Sequence, residues 1–129
     1  MKHLKEGLIK HRGITQFYKE IQNPTYEDIC QEGNIVFTEY GNDIIPCIVI
    51  DRSKVKNISK YIPGEKILIH YDPKRDTYNY FSTEGFKRTF PKSEFCGGEI
   101  IKVINAKINT EDIKTGKDIL DALKKYNIE

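Results

Sequence analysis

Ile35-Val36-Phe37-Thr38-Glu39-Tyr40 runs into Gly41-Asn42-Asp43 and returns as Ile44-Ile45-Pro46-Cys47-Ile48-Val49-Ile50-Asp51. The first run is rich in β-branched and aromatic residues, which suit a pleated, half-buried surface. Gly, Asn and Asp tolerate positive φ and make a compact turn. Together the two runs predict an antiparallel hairpin over residues 35 to 51. Pro46 has no N–H for the ladder, so it belongs at an edge or a bulge.

Toward the C-terminus the same rhythm continues. A polar stretch from Arg52 to Tyr61 ends at Pro63-Gly64, the signature of a type II turn. Lys66 to Tyr71 reads as a third strand, and Asp72-Pro73-Lys74-Arg75-Asp76 turns the chain. Thr77 to Phe81 is a fourth strand, with Tyr78 and Tyr80 on one face and Asn79 and Phe81 on the other. Phe86 to Phe90 alternates as a short fifth strand, Pro91 to Gly98 connects, and Ile100 to Ile108 is the last. Five or six short strands within about 75 residues predict a small barrel or a strongly curved sheet. Closure would remove the exposed edges that invite aggregation.

Helical signals flank this centre. Thr115 with Asp118 three residues on has the form of a capping box, and Ile119, Leu120, Leu123 and Tyr126 make an apolar stripe behind it. On the other side, Pro24 stops what precedes it, Thr25 and Asp28 cap a single helical turn, and Gly33 closes that turn in the left-handed region. From Lys2 to Gln22 the spacing of Leu4, Leu8, Phe17 and Ile21 predicts a broken amphipathic helix, weakened by Gly7 and Gly13. The chain therefore reads as one α+β domain over 1–129: a helical N-terminal segment (1–32), an antiparallel β-barrel core (33–108) and a C-terminal helix (109–129).

Composition bounds the class. The chain has 129 residues with 38% hydrophobic and 31% charged, a globular balance large enough to bury a core without staples. No apolar run approaches the ~18 residues that span a bilayer, so no membrane role is expected. The N-terminus carries lysines but no apolar region of a signal peptide. Three cysteines, Cys30, Cys47 and Cys96, are an odd number at unrelated spacings. That favours a reducing, cytoplasmic compartment over a disulfide framework. Lys, Ile, Asn and Tyr at the expense of Ala and Arg mark an AT-rich coding sequence, as in low-GC bacteria, their phages and other mobile elements.

The segment Glu32 to Asp51 resembles the opening hairpin of Tudor and other SH3-like small barrels: a Gly, a hydrophobic strand, a short polar turn, then a strand with a small residue and a valine. Ile67-Leu68-Ile69-His70-Tyr71-Asp72, followed by Asp76-Thr77-Tyr78, is similar to a later strand of chromo-barrel relatives. The resemblance implies an SH3-like barrel and singles out Tyr40, Tyr71, Tyr78 and Tyr80. Without a Trp, what is carried over is the barrel shape and not the family's methyl-lysine cage.

From Tyr71 to Phe95, aromatic residues interleave with Lys74, Arg75, Lys87 and Arg88. Aromatic rings stack on bases and cations hold phosphates, so this stretch is a candidate surface for nucleic acid. A group of tyrosines also suits a cation or basic peptide. Against both stands ordinary core packing and cross-strand pairing, with Asp72, Asp76, Glu84 and Glu94 diluting the positive field. His3, His11 and His70 with the three cysteines have no metal-ligand spacing, so no metal is expected. Cys96 beside Gly97-Gly98, with His70 as a base, is the one imaginable nucleophile; the glycines read more simply as a bend. Lys114-Thr115-Gly116-Lys117 echoes a phosphate loop without its first glycine and reads as a helix start.

The expectation is a non-catalytic binding or adaptor protein without cofactor, from a low-GC bacterium or its phage. Its partner would be a protein or a second copy, with nucleic acid as another possibility. Two other readings are a phage structural or assembly component, and an inhibitor of host defence that sequesters a nucleotide or blocks a nuclease.

Overall fold

The computed structural model describes residues 8–11, 14–17, 19–95 and 97–128. Seven strands are β1 (Leu8–His11), β2 (Ile14–Phe17), β3 (Ile35–Tyr40), β4 (Asp43–Asp51), β5 (Lys66–Asp72), β6 (Thr77–Ser82) and β7 (Glu99–Ile104). Two α-helices are α1 (Tyr26–Ile29) and α2 (Gly116–Lys124). The fold is α+β around a five-stranded antiparallel sheet of order β6-β5-β4-β3-β7.

The hairpin forms as its sequence predicts. Tyr40 pairs with Asp43 around Gly41-Asn42, and Gly41 takes φ +65°. The entry turn also forms: Thr25 and Asp28 make a capping box on α1, and Gly33 stands at φ +94°. Gly33 is tied to the segment after β7, because Ile108 N–H donates to its carbonyl at 2.9 Å. A Cβ on Gly33 would lie 2.6 Å from the Ile108 carbonyl oxygen, so the close approach needs glycine.

Both faces of the sheet are covered, which is why β4 and β5 carry unbroken apolar runs instead of alternation. Ile35, Ile48, Ile50, Ile67, Ile69 and Ile104 face α2, where Ile119 and Leu123 meet them. Val36, Cys47, Val49, Leu68 and Val103 face the other way, onto Ile29 and Phe86. Each fully buried side chain of this size contributes roughly 1.5–3 kcal/mol, so the two layers carry most of the stability. Thr115 caps α2 by accepting from Asp118 N–H, as its capping box predicts.

Four expectations are corrected. The sheet is not closed into a barrel: β6 and β7 are its two edges and do not pair. Covering by α2 on one face and by Ile29 and Phe86 on the other buries the strands without closure. Residues Phe86 to Phe90 are not a strand; Ser82 caps a 3-10 turn over Thr83–Phe86, and Thr83 donates its hydroxyl to Lys66 O at 2.8 Å. The last strand stops at Ile104 rather than Ile108. Within Lys2 to Gln22, expected as a broken helix, the described residues from Leu8 to Phe17 form the β1–β2 hairpin, Leu8 opposite Phe17. Residues 1–7 lie outside the described residues.

Candidate functional site

Pro46 ends the β4–β5 ladder beside a wide concavity. It lies in a central strand, opposite Phe37 of β3. The β4–β5 ladder runs from Asp51↔Lys66 only to Ile48↔Ile69, although β5 continues to Asp72 with β6 beside it. Pro46 cannot donate there, and its carbonyl oxygen is met instead by His70 Nδ1 at 3.0 Å, which requires Nδ1 to carry the proton. The β5–β6 hairpin thus leaves β4, and a cleft of about 870 Å³ opens between them.

Tyr61 is 83% exposed, Phe95 59%, Ile44 56% and Tyr40 46%, and all four line this cleft. Among the described residues they are four of the six exposed large hydrophobics, so the apolar surface is concentrated and not scattered. Phe81 sits within, its ring 6.3 Å from that of Tyr40. Lys74 and Arg75 stand on the lip together with Asp43 and Asp72, and Arg75 reaches Asp72 at 4.0 Å. Both signs of charge therefore border an aromatic floor.

A second cleft, about 620 Å³, lies on the α2 face. Tyr78 and Tyr80 form one wall, their rings 6.3 Å apart and 13° from parallel. Tyr71 packs against Tyr78 at 5.1 Å, and its hydroxyl donates to Asp76 at 2.5 Å. That bond to a carboxylate pushes the Tyr71 phenol up to about 12, and burial raises Tyr80 too. Both phenols stay neutral at physiological pH, and Tyr71 acts as a donor.

The opposite wall is held by an ion cluster. Lys54 Nζ lies 3.1 Å from Glu32, 3.0 Å from Glu111 and 3.0 Å from the Thr110 hydroxyl. Burial works against the Glu32 anion, but Asp51 N–H, Thr110 and Lys54 together hold its carboxyl below the ordinary value. The hydrogen bonds to Glu111 and Glu32 raise Lys54 in turn. The cluster ties the chain after β4 to the chain before α2. Lys56 and Lys114 line the same cleft without an ion pair among the described residues.

The structure distributes the residues singled out in the sequence. Tyr71, Tyr78 and Tyr80 come together on the α2 face, whereas Tyr40 meets Phe81 on the opposite face. Lys74 and Arg75 sit in the β5–β6 turn. Lys87 is exposed just after the Thr83–Phe86 turn, and Arg88 is engaged by Glu94 through two bonds of 2.9 and 3.1 Å. Ile44 and Tyr61 are additional, and Phe95, the end of the aromatic-basic stretch, joins them in the cleft. The signal of Tyr61 was weak, because it lies in a turn-rich segment where no alternation marks an aromatic residue as facing anything.

Cys47 is buried beneath the sheet, and burial pushes its thiol up to about 12. Cys96, paired in thought with His70, lies outside the described residues. Among the described residues, no group of three His, Cys, Asp or Glu side chains could hold a metal ion, and no helix is long and apolar enough to cross a membrane. Comparison with family models, with curated proteins and with solved structures finds no match.

Proposed function

We propose that the protein is a non-catalytic binding or adaptor protein, working in the cytoplasm of a low-GC bacterium or carried there by its phage. The observation behind this is the gathering of Tyr40, Ile44, Tyr61 and Phe95 around one cleft. A chain that scatters single apolar residues gives no such patch, and contiguous ones mark interaction sites. The partner is a protein segment that places apolar side chains between the aromatic rings. SH3-like modules use an aromatic-lined groove on a small β-sheet in this way, and the mode does not need a closed barrel.

A photocrosslinker at position 61, with one at exposed Lys117 as control, tests this in native cells. A discrete adduct at position 61 that Phe95→Ser abolishes is the expected result. Adducts equal to those at Lys117 would sink it.

A second reading rests on the other cleft. Parallel Tyr78 and Tyr80 opposite unpaired Lys56 and Lys114 suit a planar anion such as a nucleotide, as an inhibitor that sequesters one would need. Thermal stabilisation rising with nucleotide concentration, and lost in Tyr80→Ala, would support it.

A further inference from the structure

We propose that the cleft on the α2 face takes a nucleotide carrying a single phosphate, and that Glu111 excludes longer phosphate chains. This rests on the nucleotide reading of that cleft and narrows it to one class.

The walls favour one ring system. Ile50, Ile69 and Ile119 are buried and line the floor. Tyr78 and Tyr80 make the aromatic wall, their rings 13° from parallel with centroids 6.3 Å apart. A base resting there meets aromatic and aliphatic surface, which suits stacking and not hydration. The cleft holds about 620 Å³, within the roughly 300–1,000 Å³ of small-ligand cavities. Proteins that hold a single strand instead track its backbone with a cationic groove and offer successive bases successive rings. One short aromatic wall does not extend that far.

Charge limits the anion. Among the described residues, the charged side chains that line the cleft are Lys54, Lys56, Glu111 and Lys114. Lys54 is shared by two acids, Glu111 at 3.0 Å and Glu32 at 3.1 Å, so this cluster is negative by one charge. Lys56 and Lys114 are exposed and make no ion pair among the described residues. Their two charges leave the wall positive by one, which matches a single phosphate monoester. Glu111 enforces the limit: its side chain is 70% exposed, and it precedes Lys114 by three residues. A first phosphate satisfies Lys56 and Lys114. A second and third would bring negative charge beside Glu111, with no further free lysine lining the cleft among the described residues. In a partly desolvated cleft such like charges repel more strongly than in bulk water.

Isothermal titration calorimetry of the full chain tests this. The probes are the common ribonucleosides, their monophosphates and triphosphates, and a short single-stranded oligonucleotide. At least one monophosphate is expected to bind about tenfold or more tighter than its triphosphate, its nucleoside and the oligonucleotide. Glu111→Gln removes the repelling charge and is expected to close the gap between monophosphate and triphosphate, with unchanged circular dichroism. Should loss of the bond to Lys54 unsettle the fold, Lys114→Ala is expected to weaken the monophosphate about tenfold, and Lys117→Ala, outside the cleft, to leave it unchanged. A triphosphate or oligonucleotide that binds as tightly as the monophosphate, a gap that survives Glu111→Gln, or indifference to Lys114→Ala would each overturn the proposal and leave the nucleotide reading standing. Absence of binding by every nucleotide would remove both.

Discussion

The Thr110 hydroxyl donates to the Glu32 carboxylate at 2.8 Å, joining residues 78 positions apart. The same carboxylate oxygen accepts from Asp51 N–H at 2.8 Å and lies 3.1 Å from Lys54. One side chain therefore pins the entry of β3, the exit of β4 and the approach to α2.

Removing it should be costly. Hydrogen bonds to a charged group contribute roughly 1.5–3 kcal/mol, so Glu32→Ala is expected to lose about 2 kcal/mol in urea unfolding, and Glu32→Gln about half that. The pH dependence has a definite sign. The folded-state pKa lies below the ordinary 4.5, so the stabilisation is complete above that value and lost as pH falls through the folded one. Glu32→Gln should flatten that acid limb of the stability curve; an unchanged limb would assign it to other carboxylates.

Gly33 and Gly41 both adopt positive φ, but only Gly33 is crowded. Gly33→Ala adds backbone strain and a clash with the Ile108 carbonyl, and is expected to cost roughly 2–4 kcal/mol. Gly41→Ala meets nothing within 4 Å and should cost about 1 kcal/mol. Equal losses in thermal or urea unfolding would show that the Gly33–Ile108 approach is not tight.

Gly116 opens α2, where alanine would ordinarily stabilise by about 1 kcal/mol. Here a Cβ would enter the Tyr71 ring. Gly116→Ala is therefore expected to destabilise, and much less so in a Tyr71→Ala background. A double-mutant cycle with no coupling would show that the ring does not rest on the helix start.

Cys47 should resist thiol reagents in the native state, because it is buried and its thiol is pushed up to about 12. Half-buried Cys30 is expected to react before Cys47. Peptide mapping after brief alkylation checks this, and modification of Cys47 at the rate of unfolded chain would contradict the buried placement.

Some of this fold is written locally and some is not. The β3–β4 hairpin is legible because Gly41-Asn42 and the flanking β-branched residues act within a few positions of one another. The α2 cap is legible for the same reason, since Thr115 and Asp118 need only each other. Phe86, Arg88 and Phe90 misled, because alternation over so few residues fits a turn as well as a strand; the Thr83–Lys66 bond decided between them. Leu8, Phe17 and Ile21 misled in the other direction, since a spacing of four with gaps suits a helix stripe and a hairpin equally.

By itself the sequence determined the α+β class, the strands between residues 35 and 82 and their turns, because backbone propensity, capping and positive φ are short-range. Only the tertiary structure decided that the sheet stays open, that Tyr40 parts company with Tyr71, Tyr78 and Tyr80, and that Tyr61 and Phe95 share a cleft. Those outcomes follow from which strand edges meet and where Pro46 ends the β4–β5 ladder, and such long-range pairings leave no periodic trace in the chain.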